Sequence, residues 1–223
     1  MSESPAALGV DEEAAGLDRS SLPYTSCYCE ENAYFVAERL EGLLAEGGRR
    51  VFVVFLSTAD RRLPLFFQRA GGPAGSPGLV VWDYHVIAMT VGGGAPGAVW
   101  DLDSTLPFPC PAADYARLAL RDPGPGRHRG RRFRVVDARG YLDGLGSDRS
   151  HMVGDDGAWL AEPPGYAPLV AADGERSNLA RYVDVGGEAA RPEDLGALLA
   201  SLREAGRFGV VLDEGDFVRL LCR

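Results

Sequence analysis

The sequence predicts a mixed α/β protein of the α+β kind: an α-β-α sandwich around a mainly antiparallel sheet. Three features carry this. A helical period runs over residues 29–44, early in the chain. Two strand-like stretches, 79–91 and 98–103, are separated by Gly92-Gly93-Gly94-Ala95-Pro96-Gly97 and therefore read as a hairpin. A second amphipathic period follows late, from about residue 192 to 205. Helices placed around hairpin-joined strands fit an antiparallel sheet better than repeated βαβ units.

Whole-chain properties set the limits. The chain has 223 residues and 46% apolar content, enough for a sizeable core and short for two domains. No apolar run approaches the roughly 18 residues of a membrane span. The N-terminus lacks the charged start and apolar stretch of a secretory signal. A soluble, cytoplasmic monomer is the expectation. A net charge of −9 argues against nucleic acid or an anionic membrane as partner. All 23 basic residues are arginine, so lysine Schiff-base chemistry is excluded. Four cysteines in a chain this long make no disulfide framework, and Cys27 and Cys29 are too close for an unstrained bond.

In chain order, residues 1–20 show no sustained pattern and read as a mobile tail, with one domain over 21–223. Ala33, Val36, Ala37, Leu40, Leu43 and Leu44 then recur at helical spacing, with Glu38, Arg39 and Glu41 on the other side. Ser26 is the expected N-cap, and Gly47-Gly48 the stop. Val51–Leu56 is wholly apolar and reads as a buried strand; Leu65–Gln68 is a second short candidate. The hairpin follows. Ala112–Leu120 has a short helical pattern, the Arg cluster at 127–134 reads as a solvated loop, and Phe133–Val136 as a strand. Residues 138–178 are irregular; Pro192 opens the late helix, and Gly209–Leu212 is a last strand.

The chemistry gathers at Ser26-Cys27-Tyr28-Cys29-Glu30-Glu31-Asn32. Cys29 falls in the first turn of a helix, where the dipole and free N–H groups favour thiolate over thiol. A cysteine nucleophile needs a base and a group to orient that base. Of three histidines, His85 lies in a strand, whereas His128 sits in the Arg-rich loop. A turn centred on Gly93 sets His85 opposite Asp101; one centred on Gly94 sets it opposite Asp103. Cys27, Cys110 and Cys222 read as structural. Asp148, Arg149 and His151 fit either a site wall or a loop network.

Four segments together resemble one family: Ser26–Asn32; Trp82-Asp83-Tyr84-His85-Val86; Asp101-Leu102-Asp103 with Leu106-Pro107-Phe108-Pro109-Cys110; and Ser147-Asp148-Arg149-Ser150-His151-Met152. In this order they are similar to the protein N-terminal glutamine amidohydrolases. The resemblance runs from about Tyr24 to the late strand. It implies a papain/transglutaminase-like fold, deamidation of N-terminal glutamine to glutamate with release of ammonia, and a triad of Cys29, His85 and Asp101. It implies no cofactor and no metal. Selectivity for a chain terminus requires a carboxylate for the substrate α-ammonium, and Glu30, Asp83 and Asp103 are candidates. Trp82 is a further substrate-contact candidate, although packing in the sheet is its commoner role. Two other readings stay open: a different thiol acyltransferase on the same scaffold, or zinc held by Cys27, Cys29, Cys110 and His85.

Overall fold

The computed structural model describes residues 16–44, 48–72, 77–122, 124 and 130–222. Helix α1 (Cys29–Leu43) leads into strand β1 (Arg49–Ser57). Next come β2 (Leu63–Leu65), β3 (Val80–Trp82), β4 (Tyr84–Gly92), β5 (Ala98–Trp100), β6 (Cys110–Pro111) and α2 (Ala112–Leu118). The remainder is β7 (Arg132–Asp137), α3 (Ala138–Gly144), α4 (Leu179–Val183), α5 (Leu195–Ala205), β8 (Val210–Asp213) and α6 (Glu214–Leu221). Six strands form one sheet in the order β6-β5-β4-β1-β7-β8, and every neighbouring pair is antiparallel. Strands β2 and β3 form a separate two-stranded sheet.

Strand β1 is central, which explains why its sequence does not alternate. Val51, Val53 and Phe55 face one layer, where they meet Ala33, Val36 and Leu40 of α1, Tyr141 of α3 and Tyr182 of α4. Phe52, Val54 and Leu56 face the other, with Tyr115 of α2, Leu198 and Leu202 of α5, and Phe217 of α6. A strand buried on both faces needs apolar side chains at successive positions. The expected α-β-α sandwich is therefore the observed one. No helix among the described residues is long and apolar enough to cross a membrane.

Several local expectations change. Residues 1–15 of the expected tail lie outside the described residues, but 16–20 are packed. Leu17 is buried, Asp18 caps a 3-10 turn over Arg19–Ser21, and Arg19 donates to the carbonyls of Ser104 and Leu106. A single apolar anchor has no period and leaves no sequence signal. Ser26 does not cap α1; the N-cap is Tyr28, with no side-chain bond. Asn32 does the pinning instead, accepting from the Thr25 N–H at 2.9 Å and donating to the Thr25 carbonyl at 2.8 Å. The second strand lies at 63–65 rather than 65–68. Helices α3, α4 and α6, of seven, five and eight residues, are additions to the elements expected from the sequence. The late helix starts at Leu195, because the Asp194 carboxylate accepts from the Ala197 N–H and sets the cap there. In the Arg cluster, residues 127–129, including His128, lie outside the described residues. Arg131 is buried and donates to the Leu120, Arg121 and Pro64 carbonyls and to Glu214, so this part is no solvated loop.

Candidate active site

The long strand expected over 79–91 breaks at Asp83. Its carboxylate accepts from the Tyr84 N–H at 2.9 Å, and its carbonyl accepts from Ser57 Oγ at 2.8 Å. The chain thereby passes from the small sheet to the large one, and His85 sits at the start of β4. The hairpin pairs Ala88 with Trp100 and Thr90 with Ala98, the register centred on Gly94. Extended regularly, that register would set His85 against Asp103. The ladder ends at Trp100, however. Asp101 turns its carboxylate back to accept from the Asp103 N–H at 2.9 Å, and the same oxygen lies 3.1 Å from His85 Nε2. Its second oxygen accepts from Tyr115 Oη at 2.8 Å. Asp101 thus ends the strand and meets the imidazole at once.

His85 is buried and stacks on Trp82, ring centres 5.9 Å apart and 17° between planes. Trp82 Nε1 is fixed by Gln68 Oε1 at 3.1 Å. With Nε2 directed at Asp101, Nδ1 is the ring nitrogen left for the cavity. Burial pulls the His85 pKa down, but the charge and hydrogen bond of Asp101, then Asp103 and Glu30, outweigh it and the net direction is up. Burial likewise pushes Asp101 up, yet His85, Tyr115 and the Asp103 N–H hold it below its usual 3.8.

Cys29 and His85 line one cavity of about 460 Å³. Trp82, Asp83, Tyr84 and Asp103 line it too; Asp101 and Glu30 do not. Glu30 is fully buried behind the thiol. Its Oε2 accepts from Tyr84 Oη at 3.1 Å and lies 3.7 Å from Cys29 Sγ, while Oε1 lies 3.4 Å from His151 Nε2. The dipole argument anticipated an acidic thiol. The structure reverses it: burial first, then the charges of Glu30, Asp103 and Asp83, put the Cys29 pKa well above 9.0, and the Val86 N–H only partly compensates.

The cavity's ionic lining is mainly acidic. Asp83, Asp103 and Asp148 stand against Arg61 and His151. Asp103 is buried and accepts from Tyr24 Oη at 2.7 Å. From the sequence, Asp148, Arg149 and His151 fit either a site wall or a loop network. His151 and Asp148 line the cavity, whereas Arg149 is buried in a paired contact with Glu31. Tyr84 and Glu31 fall inside the quoted segments and Tyr115 outside them, but the support each gives to a neighbour has no spacing signal in the sequence.

Among the described residues, the one group of possible metal ligands is His85, Asp101 and Asp103, with ligand atoms within 4.8 Å of one another. Both Asp101 oxygens already accept from His85, Tyr115 and the Asp103 N–H, which reads as a hydrogen-bond network. The conceivable zinc set of Cys27, Cys29, Cys110 and His85 is not gathered. Cys110 is packed in the core of the α2 layer, away from the cavity lining.

Fold and cavity define a class first: α-β-α sandwich proteins that bring a helix-start thiol, a strand imidazole and a carboxylate to one end of an antiparallel sheet. Comparison then narrows the class. Residues 24–221 match the family N-terminal glutamine amidase. The Protein N-terminal glutamine amidohydrolase of Arabidopsis thaliana is 39% identical over 184 residues, covering 80% of this chain and 82% of that one. The human protein of the same name is 35% identical over 177 residues, 79% of this chain and 84% of its own. The Bos taurus protein is 34% identical over 184 residues, 82% and 87% respectively. The chain belongs to the N-terminal glutamine amidase family.

Proposed function

We propose that this protein hydrolyses the side-chain amide of N-terminal glutamine in proteins and peptides, giving N-terminal glutamate and ammonia. The observation that carries the reading is the convergence of Cys29 and His85 on one acidic cavity, with Asp101 held on the far nitrogen of His85. Cys29 is the nucleophile, His85 the base and Asp101 the group that orients it.

The acid–base state of the site gives the sequence of events. In the free protein the thiol is neutral, because burial and three carboxylates oppose its ionisation. The α-ammonium of a substrate, received by Asp83 or Asp103, offsets part of that negative field. The thiol proton then passes to His85 Nδ1, and the imidazolium is stabilised by Asp101. Sγ attacks the side-chain carbonyl carbon, and backbone N–H groups at the start of α1, which has no side-chain cap, stabilise the oxyanion. The C–N bond breaks, and the nitrogen leaves as ammonia with the proton from His85. Water then gives a proton to His85, adds to the thioester and releases the carboxylic acid as Cys29 takes the proton back.

Glu30 is not an ammonium ligand in this reading, since it lies behind the thiol outside the cavity lining. Trp82 holds the His85 ring. All these groups come from one chain, so the reading requires no second copy, with one catalytic domain over 21–223. Four free cysteines suit a reducing cytoplasm. The test is mass spectrometry of a Gln-initiated peptide and an internal-Gln control. The wild type adds about one dalton to the first alone, and Cys29→Ala adds nothing. Activity that survives Cys29→Ala but not Cys27→Ala would move the nucleophile, and ammonia from internal Gln alone would reject the terminal assignment.

A further inference from the structure

The carboxylate beside the thiol has an oxygen left over. None of the Glu30 side chain is exposed, and its Oε1 accepts no hydrogen bond. Tyr84 Oη donates to Oε2 at 3.1 Å, and that same oxygen lies 3.7 Å from Cys29 Sγ. A carboxylate shut away from water is strongly disfavoured without a counter-charge. Among the described residues, the cationic group within ion-pair distance is His151, whose Nε2 lies 3.4 Å from Glu30 Oε1 and 3.4 Å from Tyr84 Oη. The proposed chemistry does not use His151.

A braced turn holds His151 in this place. Arg149 has φ +63°, and its guanidinium donates to both oxygens of Glu31, each at 2.8 Å. The Asp148 carboxylate accepts from the Ser150 N–H at 3.0 Å and from Ser150 Oγ at 2.7 Å. These bonds fix the 3-10 turn Ser150–Met152 against the first turn of α1. The imidazole spans two environments, since it lines the Cys29–His85 cavity with 30% of its side chain exposed while it touches the sealed Glu30.

Glu30 from α1 and Tyr84 from β4 face the imidazole, and Asp148 stands on its own turn. Arg61, Asp83 and Asp103 share the cavity wall with it. The titratable groups around Glu30 are Cys29 and Glu31 on α1, Tyr84 and His85 from β4, and Tyr141 from α3, with Tyr28 and Tyr166 beyond them. Arg149 is committed to Glu31 and His85 to Asp101, which leaves His151 for Glu30.

We propose that His151 is a positioning residue for the thiol: its imidazolium pairs with Glu30 and shields Cys29 Sγ from that carboxylate. This deepens the amidohydrolase reading, in which Cys29 is the nucleophile. The imidazole takes its proton from water on its exposed side, and the thiol proton still passes to His85. A histidine that merely braced the turn would change Tm and leave the chemistry of the thiol as it was.

Iodoacetamide labelling of the Cys29 peptide tests this without turnover, in a Cys27→Ser parent and well below the Tm of each variant. His151→Gln keeps a donor for Glu30 but no charge. At about pH 6 it is expected to label about three- to tenfold more slowly than the parent, the effect of one partly screened charge near the thiol. The gap closes toward about pH 9, where an imidazole no longer carries a proton. In a Glu30→Gln background the same change has an effect below about twofold, because the pair is already gone. His151→Arg, with a permanent cation, keeps the parent rate at about pH 6 and exceeds it about threefold at about pH 8.5, which also covers the case in which His151→Gln does not fold. Equal labelling of His151→Gln and parent at about pH 6, a gap that does not change with pH, or a gap of the same size in the Glu30→Gln background overturns the proposal. So does His151→Arg that labels no faster than the parent at about pH 8.5. The amidohydrolase reading is judged separately, by turnover of a Gln-initiated peptide in the wild type.

Discussion

His85 Nε2 and Asp101 Oδ1 lie 3.1 Å apart, with 1% and 2% of their side chains exposed. Both side chains are almost wholly buried, so Asp101 fixes both the tautomer and the tilt of the ring. In Asp101→Asn the carboxamide keeps the shape but not the charge, and the imidazolium loses its stabilising partner. We expect kcat/KM for a Gln-initiated peptide, measured well below the Tm of the variant, to fall by about 10²–10⁴-fold. A loss below about tenfold would remove Asp101 from the proposed mechanism.

The same pair makes stability depend on pH, and the two signs differ. His85 has a folded pKa raised above 6.5, so its contribution is full below 6.5 and is lost as pH rises through the folded value. Asp101 is held below 3.8, so its contribution is present above 3.8 and is lost as pH falls through the lower, folded value. The pair is therefore most stabilising between these limits. Urea midpoints for the wild type are expected to decline as pH rises from about 6 toward 8, whereas His85→Gln stays flatter. Parallel profiles would mean that the pair does not carry charge in the folded state.

How far the sequence could be read follows from where each signal lay. The α1 period, the apolar run of β1 and the hairpin are local patterns, and they led to the observed sandwich. Cys29 and His85 stand out in the sequence because few thiols and imidazoles are available, and both line the cavity. Asp101 and Asp103 could not be separated by register. The ladder is in fact centred on Gly94, yet Asp101 meets His85, because the strand ends at Trp100 and the carboxylate folds back to its own turn. The thiol was misjudged for a related reason. A helix dipole can be read from sequence, but the burial of Glu30 beside Cys29 depends on how Tyr84 and His151 pack between it and the cavity.

Glu30 makes its own prediction. Its buried carboxylate is 3.7 Å from Cys29 Sγ, and its charge is the largest cause after burial of the raised thiol pKa. Glu30→Gln retains an acceptor for Tyr84 Oη and removes the charge. In a Cys27→Ser background, iodoacetamide labelling of the Cys29 peptide should then become several-fold faster near neutral pH, its midpoint moving to lower pH. Unchanged labelling would show that burial alone holds the thiol neutral.

Arg149 and Glu31 tie the 149–166 segment to the first turn of α1 without contacting the cavity themselves. Both are buried, Arg149 with 5% and Glu31 with 0% of its side chain exposed, and Ser147 Oγ adds a third donor to Glu31 at 3.2 Å. Arg149→Ala leaves the Glu31 charge in the interior with its main partner gone, which costs about 3–5 kcal/mol. In a chain of this size that lowers Tm by on the order of 10 °C. Removing both charges in Glu31→Gln/Arg149→Met avoids the stranded carboxylate, so the double variant should regain much of the lost Tm. It does not replace the bonds from Arg149 to the Pro164 and Tyr166 carbonyls, so the segment is less firmly seated and KM for peptide substrates should stay high after Tm recovers. A Tm change below about 2 °C in Arg149→Ala would refute the stranded-charge account. A wild-type KM in the double variant would show that the segment keeps its place without this clamp.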